Sequence, residues 1–210
     1  MFITLEGPDG SGKTTQARLL AEWLREQGHK VVLTREPGGT DIGDQIRAVL
    51  HDPHNAAMDA RTEILLYSAS RAQHVAQRIR PALAAGEIVI SDRYADSTLA
   101  YQGYGRGLDL ETLRTITAFA TGGLTPDLTL YLDLASQAGL QRRQLSGGEW
   151  NRLDAEALEF HQRVRAGYLE LVKQEPERWV VINAARPVEE VQAEIRALVQ
   201  AKLNHVKRSA

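Results

Sequence analysis

The chain contains no cysteine, which excludes disulfides, thiolate metal sites and cysteine nucleophiles. It lacks a dominant charge: 25 Lys and Arg against 27 Asp and Glu leave a formal charge of -2, so bulk electrostatics give no reason to bind nucleic acid or an acidic membrane. No apolar run approaches the length of a membrane span. The N-terminus has no basic segment followed by an apolar one, because Glu6 and a glycine-rich turn arrive at once. These absences together read as a soluble, cytoplasmic protein. Lysine is also scarce, with five against 20 arginines. Arginine's planar fork grips phosphate in bidentate fashion, although genomic base composition produces the same bias. What remains is ordinary: 210 residues, 43% apolar and 25% charged, the size and make-up of one globular domain spanning 1–210.

The most informative stretch is Phe2 to Thr15, an apolar run, a glycine-rich turn and the start of a helical pattern. Gly7, Gly12, Lys13 and Thr14 fall at the spacing G-x-x-x-x-G-K-[ST] of a phosphate-binding loop. Glycines at 7, 10 and 12 let the backbone of Gly7, Pro8, Asp9, Gly10, Ser11, Gly12, Lys13, Thr14 and Thr15 curl so that its N–H groups converge on a polyphosphate. The positive end of the following helix adds to their field. Lys13 supplies a mobile cation for the outer phosphates and Thr14 a hydroxyl for Mg²⁺.

Strand-like and helix-like runs alternate to the end of the chain. Strands are expected over 2–5, 30–34, 88–91, 128–132 and 179–182, and helices over 13–27, 41–51, 59–85, 95–102, 110–121, 135–145, 152–174 and from Pro187 onward. Pro81 should kink or restart the long helix. Gly103, Gly105 and Gly107 read as loop. Ile64, Leu65, Ala69, Ala72 and Val75 mark an apolar face. Five alternations imply an α/β fold, a five-stranded parallel sheet with helices on both faces in three layers. Ligands then collect at the carboxyl ends of the strands.

Two further motifs follow strands directly and so share that edge: Thr34-Arg35-Glu36-Pro37-Gly38-Gly39-Thr40 and Ser91-Asp92-Arg93-Tyr94. Asp92 closes an apolar strand, the place from which an acid holds Mg²⁺ beside a phosphate loop; a helix cap would look the same. Arg35 and Arg93 at neighbouring strand ends point to a second anion beside the first. His51 and His54 flank Asp52 with no third ligand and read as loop residues. The 103–107 glycines follow no strand, so they are no dinucleotide fingerprint.

At this point the sequence resembles the thymidylate kinases. Asp92 to Gln102 is similar to the signature D-R-Y-x-x-S-x-x-A-Y-Q of that family, Arg35 to Gly39 to R-E-P-G-G, and Leu66 to Arg71 to L-[FY]-x-A-x-R. The resemblance implies phosphoryl transfer from Mg-ATP to dTMP for dTTP synthesis, ATP and Mg²⁺ being needed, and a homodimer. It implies that Arg35 and Arg93 hold the dTMP phosphate, Tyr67 stacks on thymine, and Arg71 hydrogen-bonds a thymine carbonyl. Ser97 and Gln102 meet the polar edge of the base, and Tyr101 crowds the sugar 2′ position. Asp9 approaches the 3′-hydroxyl or the metal. On the residues alone Tyr67 could equally be a core aromatic, Arg71 a solvated cation and Asp9 a turn residue.

The family also implies a mobile lid, here about 141–154. The phosphate loop carries no arginine, so Arg142, Arg143 and Arg152 are the lid arginines that would join Lys13, Arg93 and Asp9 in catalysis. The lid departs from the family pattern R-x-R-G-x-x-D-R-x-E, with Asn151 in place of Asp and a longer spacing. Two rivals stay open: a kinase for another nucleoside monophosphate or a deoxynucleoside, and a GTP-binding switch or regulatory ATP-binding module. The guanine-reading Asn-Lys-x-Asp is absent, since none of the four asparagines precedes a lysine.

Overall fold

The computed structural model describes residues 1–145 and 151–209, with side chains through Asn204. The expected sheet is present: β1 (Phe2–Glu6), β2 (Val31–Arg35), β3 (Ile88–Asp92), β4 (Leu128–Asp133) and β5 (Trp179–Asn183). All pairings are parallel in the order β2-β3-β1-β4-β5. The chain moves to one side of β1 for β2 and β3 and to the other for β4 and β5. That reversal opens a crevice at the carboxyl end of β1, where a doubly wound sheet takes its ligand.

Alternation along β1 splits the core between two faces. Ile3 and Leu5 pack with Ala17, Leu20, Ala21 and Leu24 of α1 (Lys13–Glu26) and with Val191, Ile195 and Val199 of α9 (Val188–Ser209). Phe2 faces the other way, onto Val75, Ile79 and Tyr94. On that second face Tyr131 of β4 meets Tyr101, Val164, Tyr168 and Trp179. Val164 and Tyr168 belong to α8 (Leu158–Gln174). Helices on both faces make the three layers.

Three element boundaries differ from expectation, each for a physical reason. The helix expected over 59–85 is α3 (Ala60–His74), a π-helical turn (Val75–Ile79) and α4 (Arg80–Ala84). The wider turn accommodates Pro81, whose ring and missing N–H do not fit a regular helix interior. After α5 (Ala95–Thr98) the chain continues as a second π segment over Leu99–Gly105, so Gly103 and Gly105 are helical, not loop. A Cβ on Gly105 would lie 2.7 Å from the Phe160 ring and one on Gly167 2.5 Å from Tyr104. These glycines therefore let α8 lie close against the π segment. Finally, α8 begins at Leu158 rather than 152, because Asn151 Oδ1 accepts from the Leu153 and Asp154 amides (2.8 and 3.1 Å) while Asp154 Oδ2 accepts from Asn151 N (3.0 Å). That reciprocal turn holds 151–154 out of the helix.

The other α-helices among the described residues are α2 (Asp41–His51), α6 (Leu110–Thr121) and α7 (Ser136–Leu145), with a single 3-10 turn over Pro53–Asn55. Thr40 caps α2 by accepting from Gly43 N at 3.0 Å.

Candidate active site

The phosphate loop joins β1 to α1. Gly7, Gly10 and Gly12 have φ of 146°, 76° and 89°, values that side chains rarely tolerate. No side chain caps the N-terminus of α1, so its first N–H groups remain open to an anion. Lys13 Nζ folds back onto the loop, donating to Gly7 O (3.0 Å) and Pro8 O (2.8 Å). Burial, with Arg93 nearby, lowers its pKa to about 8 against the pull of Asp9, Asp92 and Glu6. Thr14 Oγ1 donates to Asp92 Oδ2 at 2.5 Å. The helix-cap alternative for Asp92 fails: its neighbour Tyr94, not Asp92, precedes α5, with no side-chain cap there. The Thr14 hydroxyl in the first turn of α1 and the Asp92 carboxylate at the end of β3 are hard oxygen donors of the kind Mg²⁺ takes, one or two from protein and the rest from water and phosphate. The residues present fit that ion.

Beside the loop lies a dense polar cluster centred on Arg93. Its Nη2 donates to Asp9 Oδ1 (2.7 Å) and the Tyr101 hydroxyl (2.9 Å). Its Nη1 donates to Gly7 O (3.0 Å), Ser97 Oγ (3.2 Å) and the Tyr168 hydroxyl (3.3 Å). Tyr101 in turn donates to Asp9 Oδ2 at 2.8 Å. Burial alone would raise Asp9, but Arg93 and Lys13 reverse the sign and hold the carboxyl well below its ordinary range. Glu6, wholly buried on the same side, moves the opposite way: burial, reinforced by Asp96, lifts it to about 7 despite Arg93 and two hydroxyl donors.

The residues expected on the acceptor side line the same cavity. Arg71 is buried, donating through Nε to Glu36 (2.8 Å), Nη1 to Thr98 (3.0 Å) and Nη2 to Tyr94 O (3.2 Å). The solvated alternative for Arg71 is thereby excluded. His74 supports Glu36 from behind (3.0 Å) and meets Thr34 Oγ1 at 2.7 Å. Gln102 donates to buried Glu63 at 2.7 Å. Arg35 pairs with Asp44 at 3.1 Å, both half in solvent. One cavity of about 1010 Å³ runs from Lys13, Thr14 and Asp92 past Asp9, Arg93 and Arg35 to Tyr67, Arg71, Ser97, Tyr101 and Gln102. Half-buried Tyr67 faces this cavity, so it is not a core aromatic.

The family model for thymidylate kinase matches residues 5–195. The chain is 52% identical to a thymidylate kinase of Roseiflexus sp. (strain RS-1), covering 99% of this chain and 97% of that one. It is 55% identical to one from Deinococcus radiodurans over 95% and 96%. The crystal structure of thymidylate kinase from Ehrlichia chaffeensis superposes with a TM-score of 0.77 at 37% identity, over 95% of this chain and 98% of that one. The chain belongs to the thymidylate kinase family.

Within that family frame, the three lid arginines part company. Arg142 Nη1 donates to Ala184 O (2.9 Å), and the side chain lines both the main cavity and a second cleft shared with Gly10, Thr15 and Pro187. Arg143 lines the main cavity and pairs with Asp154 at 3.1 Å. Arg152 is instead buried, donating to Leu50 O (3.3 Å) and to Glu63, and is not among the described residues lining the cavity. The middle of the lid expected over 141–154, residues 146–150, lies outside the described residues. Ser97 lines the cavity, and its hydroxyl donates to Glu6 (2.6 Å) and lies 2.9 Å from the Tyr168 hydroxyl.

Several cavity residues escaped the sequence reading. Arg47 and His51, both on α2, line the cavity. Arg47 donates to Pro37 O at 3.0 Å. His51, read as a loop residue, closes the helix; burial, with Arg47 beside it, pushes its pKa down to about 4. A helical repeat of 3.6 from Asp44 to Arg47 and His51 was the available signal. Glu6 and Tyr168, which do not line the cavity but bear on Arg93, carried none, since both sit at core positions of their elements.

Proposed function

We propose that the chain transfers the γ-phosphoryl group of ATP to the 5′-phosphate of dTMP, giving ADP and dTDP for dTTP synthesis. The carrying observation is the place of Arg93: one guanidinium touches the phosphate loop at Gly7 O and Asp9 and opens, through the same cavity, onto Tyr67, Arg71 and Gln102. A nucleotide switch has no use for a cationic pocket on the far side of its γ-phosphate. A two-substrate kinase requires one.

The reacting atom is an acceptor phosphate oxygen, whose second ionisation near pH 6, by analogy with phosphorylated side chains, leaves it largely charged at pH 7. No general base is needed. The oxygen bonds to the γ-phosphorus as the bond to the ADP oxygen breaks, and the obstacle is the approach of two polyanions. Lys13 leaves the loop carbonyls for the γ-phosphate, Arg93 and Arg35 hold the acceptor phosphate, and Arg142 and Arg143 approach from α7. Arg35 is readily released, because an exposed ion pair such as that with Asp44 contributes only about 0–1 kcal/mol. Thr14 and Asp92 would hold Mg²⁺, which when bound would supply charge neutralisation at the transferred group. Tyr67, Arg71 and Gln102 read the base, while Tyr101 and Asp9 stand at the sugar. We assign 141–154 as the lid of a single domain over 1–210.

We further propose a homodimer in the cytoplasm, where both nucleotides are found. On α3 the apolar face is two faces: Ile64 and Val75 enter the core, whereas Leu65 and Ala69 are exposed and Ala72 half-exposed. That outer stripe, on a helix packed against α2 and α6, with Phe119 of α6 90% exposed, supports pairing through these helices.

The direct test is product analysis with ATP and dTMP, dUMP, UMP, CMP, AMP or GMP. dTDP should form fastest. Equal turnover of the other acceptors, or ATP hydrolysis without a nucleoside diphosphate product from dTMP, would sink the reading.

A further inference from the structure

Glu6 ends β1, immediately before the phosphate loop, and is fully buried, so no substrate can touch it. Its Oε1 accepts from Tyr94 N at 2.8 Å. Its Oε2 accepts from Ser97 Oγ at 2.6 Å and from the Tyr168 hydroxyl at 2.8 Å. A hydroxyl has one proton. With Glu6 ionised and Ser97 and Tyr168 both donating to it, their oxygens, 2.9 Å apart, can only accept on the remaining side, and on that side lies Arg93 Nη1, 3.2 and 3.3 Å away. The other half of the guanidinium is treated the same way. Tyr101 gives its proton to Asp9 and accepts from Arg93 Nη2. Two carboxylates thus orient three hydroxyls so that every oxygen facing the guanidinium is an acceptor.

The main chain tells the same story. Arg93 has φ 71°, the one non-glycine residue with positive φ among those described, a conformation costing of order 1–3 kcal/mol that persists only where the surroundings enforce it. Arg93 N donates to Leu5 O at 3.0 Å, Ser91 Oγ donates to Arg93 O at 2.7 Å, and the next amide, Tyr94 N, is the one held by Glu6. Glu6 therefore grips both the backbone that aims Arg93 and the hydroxyls that cradle its side chain.

We propose that Glu6, acting through Ser97 and Tyr168, is the positioning residue that sets Arg93 for the acceptor phosphate, and that Ser97 serves this hub rather than the base. The proposal rests on the reading of Arg93 as the phosphate grip. Calorimetric binding of dTMP and of thymidine, which lacks the phosphate, separates the two ideas. Glu6→Gln should weaken dTMP about tenfold and thymidine less than twofold, and should lower kcat with the KM for ATP unchanged. Tyr168→Phe, which keeps the ring packing, should shift the same ratio in the same direction by a smaller factor. In the double variant the two losses should fall short of multiplying, because the Tyr168 hydroxyl acts through Glu6. Equal loss of dTMP and thymidine affinity in Glu6→Gln and Tyr168→Phe would make the hub merely structural and overturn the proposal; so would no loss in either. Arg93→Ala is the control. If it abolishes the phosphate-dependent part of the affinity while Glu6→Gln and Tyr168→Phe leave it intact, the proposal alone fails. If Arg93→Ala also binds dTMP normally, the reading of Arg93 fails and takes the proposal with it.

Discussion

Arg71 has committed three of its five N–H donors to Glu36, Thr98 and Tyr94 O, which leaves one on each terminal nitrogen for a base edge. Its removal has two effects that must be kept apart. Arg71→Ala strands Glu36 as a buried charge with only His74 beside it, and breaking such a pair costs about 3–5 kcal/mol whatever the substrate. Arg71→Lys keeps a cation for Glu36 but loses the planar fork that spans Glu36 and the cavity. The lysine variant should fold normally and lose its preference for dTMP over dCMP, whose ring carries an amino group where thymine has a carbonyl, by about tenfold or more, the scale of one hydrogen bond to a charged group. The ratio of kcat/KM values for the two acceptors measures it, and an unchanged ratio removes Arg71 from base recognition. At this scale the placement of residues was legible where a motif fixes it, as for Lys13, Thr14 and Asp92, which line one cavity. It was opaque where a role is decided by burial. Glu6 reads as the end of a strand and Tyr168 as a helix-core aromatic; only the packing of β1 against α8 turns them towards Arg93.

Helix α7 carries Arg142 and Arg143, and its seat on the phosphate loop is set by two glycines. A Cβ on Gly139 would lie 2.4 Å from Asp9 O, and one on Gly10 2.0 Å from Gly139 O. The loop crest thus rests directly on helix backbone, with no side chain between them. Gly139→Ala gains about 1 kcal/mol of helix propensity but forces two rigid backbones apart, an overpacking cost of about 1–3 kcal/mol. The variant should be no more stable than the parent, where an ordinary glycine in a helix would be improved by alanine. It should also turn over at least tenfold more slowly, because α7 and both arginines are displaced from the donor phosphates. A raised Tm with unchanged kcat would show that the contact relaxes at no cost. Element types were readable from hydrophobic period and turn residues. The π segments over 75–79 and 99–105 were not, since one added residue per turn leaves an apolar pattern barely altered over five to seven positions.

Across the whole molecule, strict alternation of strand and helix implied a parallel sheet, and a parallel sheet places every βα junction on one edge. Three motifs scattered over ninety residues could therefore be assigned to one cavity before any distance was known. Assembly is harder to read, because a helix that buries one face in its own core and another in a partner shows a broad apolar surface that does not say which is which. Here Ile64 is 2% and Leu65 59% exposed, so the outer stripe of α3 is separable from the inner. If the proposed pairing covers Leu65 and Phe119 across a two-fold axis, the same patch would meet itself and the assembly would close at two copies. The protein should sediment at twice the 23.2 kDa of the chain. Leu65→Glu places like charges opposite each other across that axis and should yield a monomer with unchanged far-UV circular dichroism. A parent that sediments as a single chain at micromolar concentration, or a Leu65→Glu variant that remains a dimer, would move the interface away from α3.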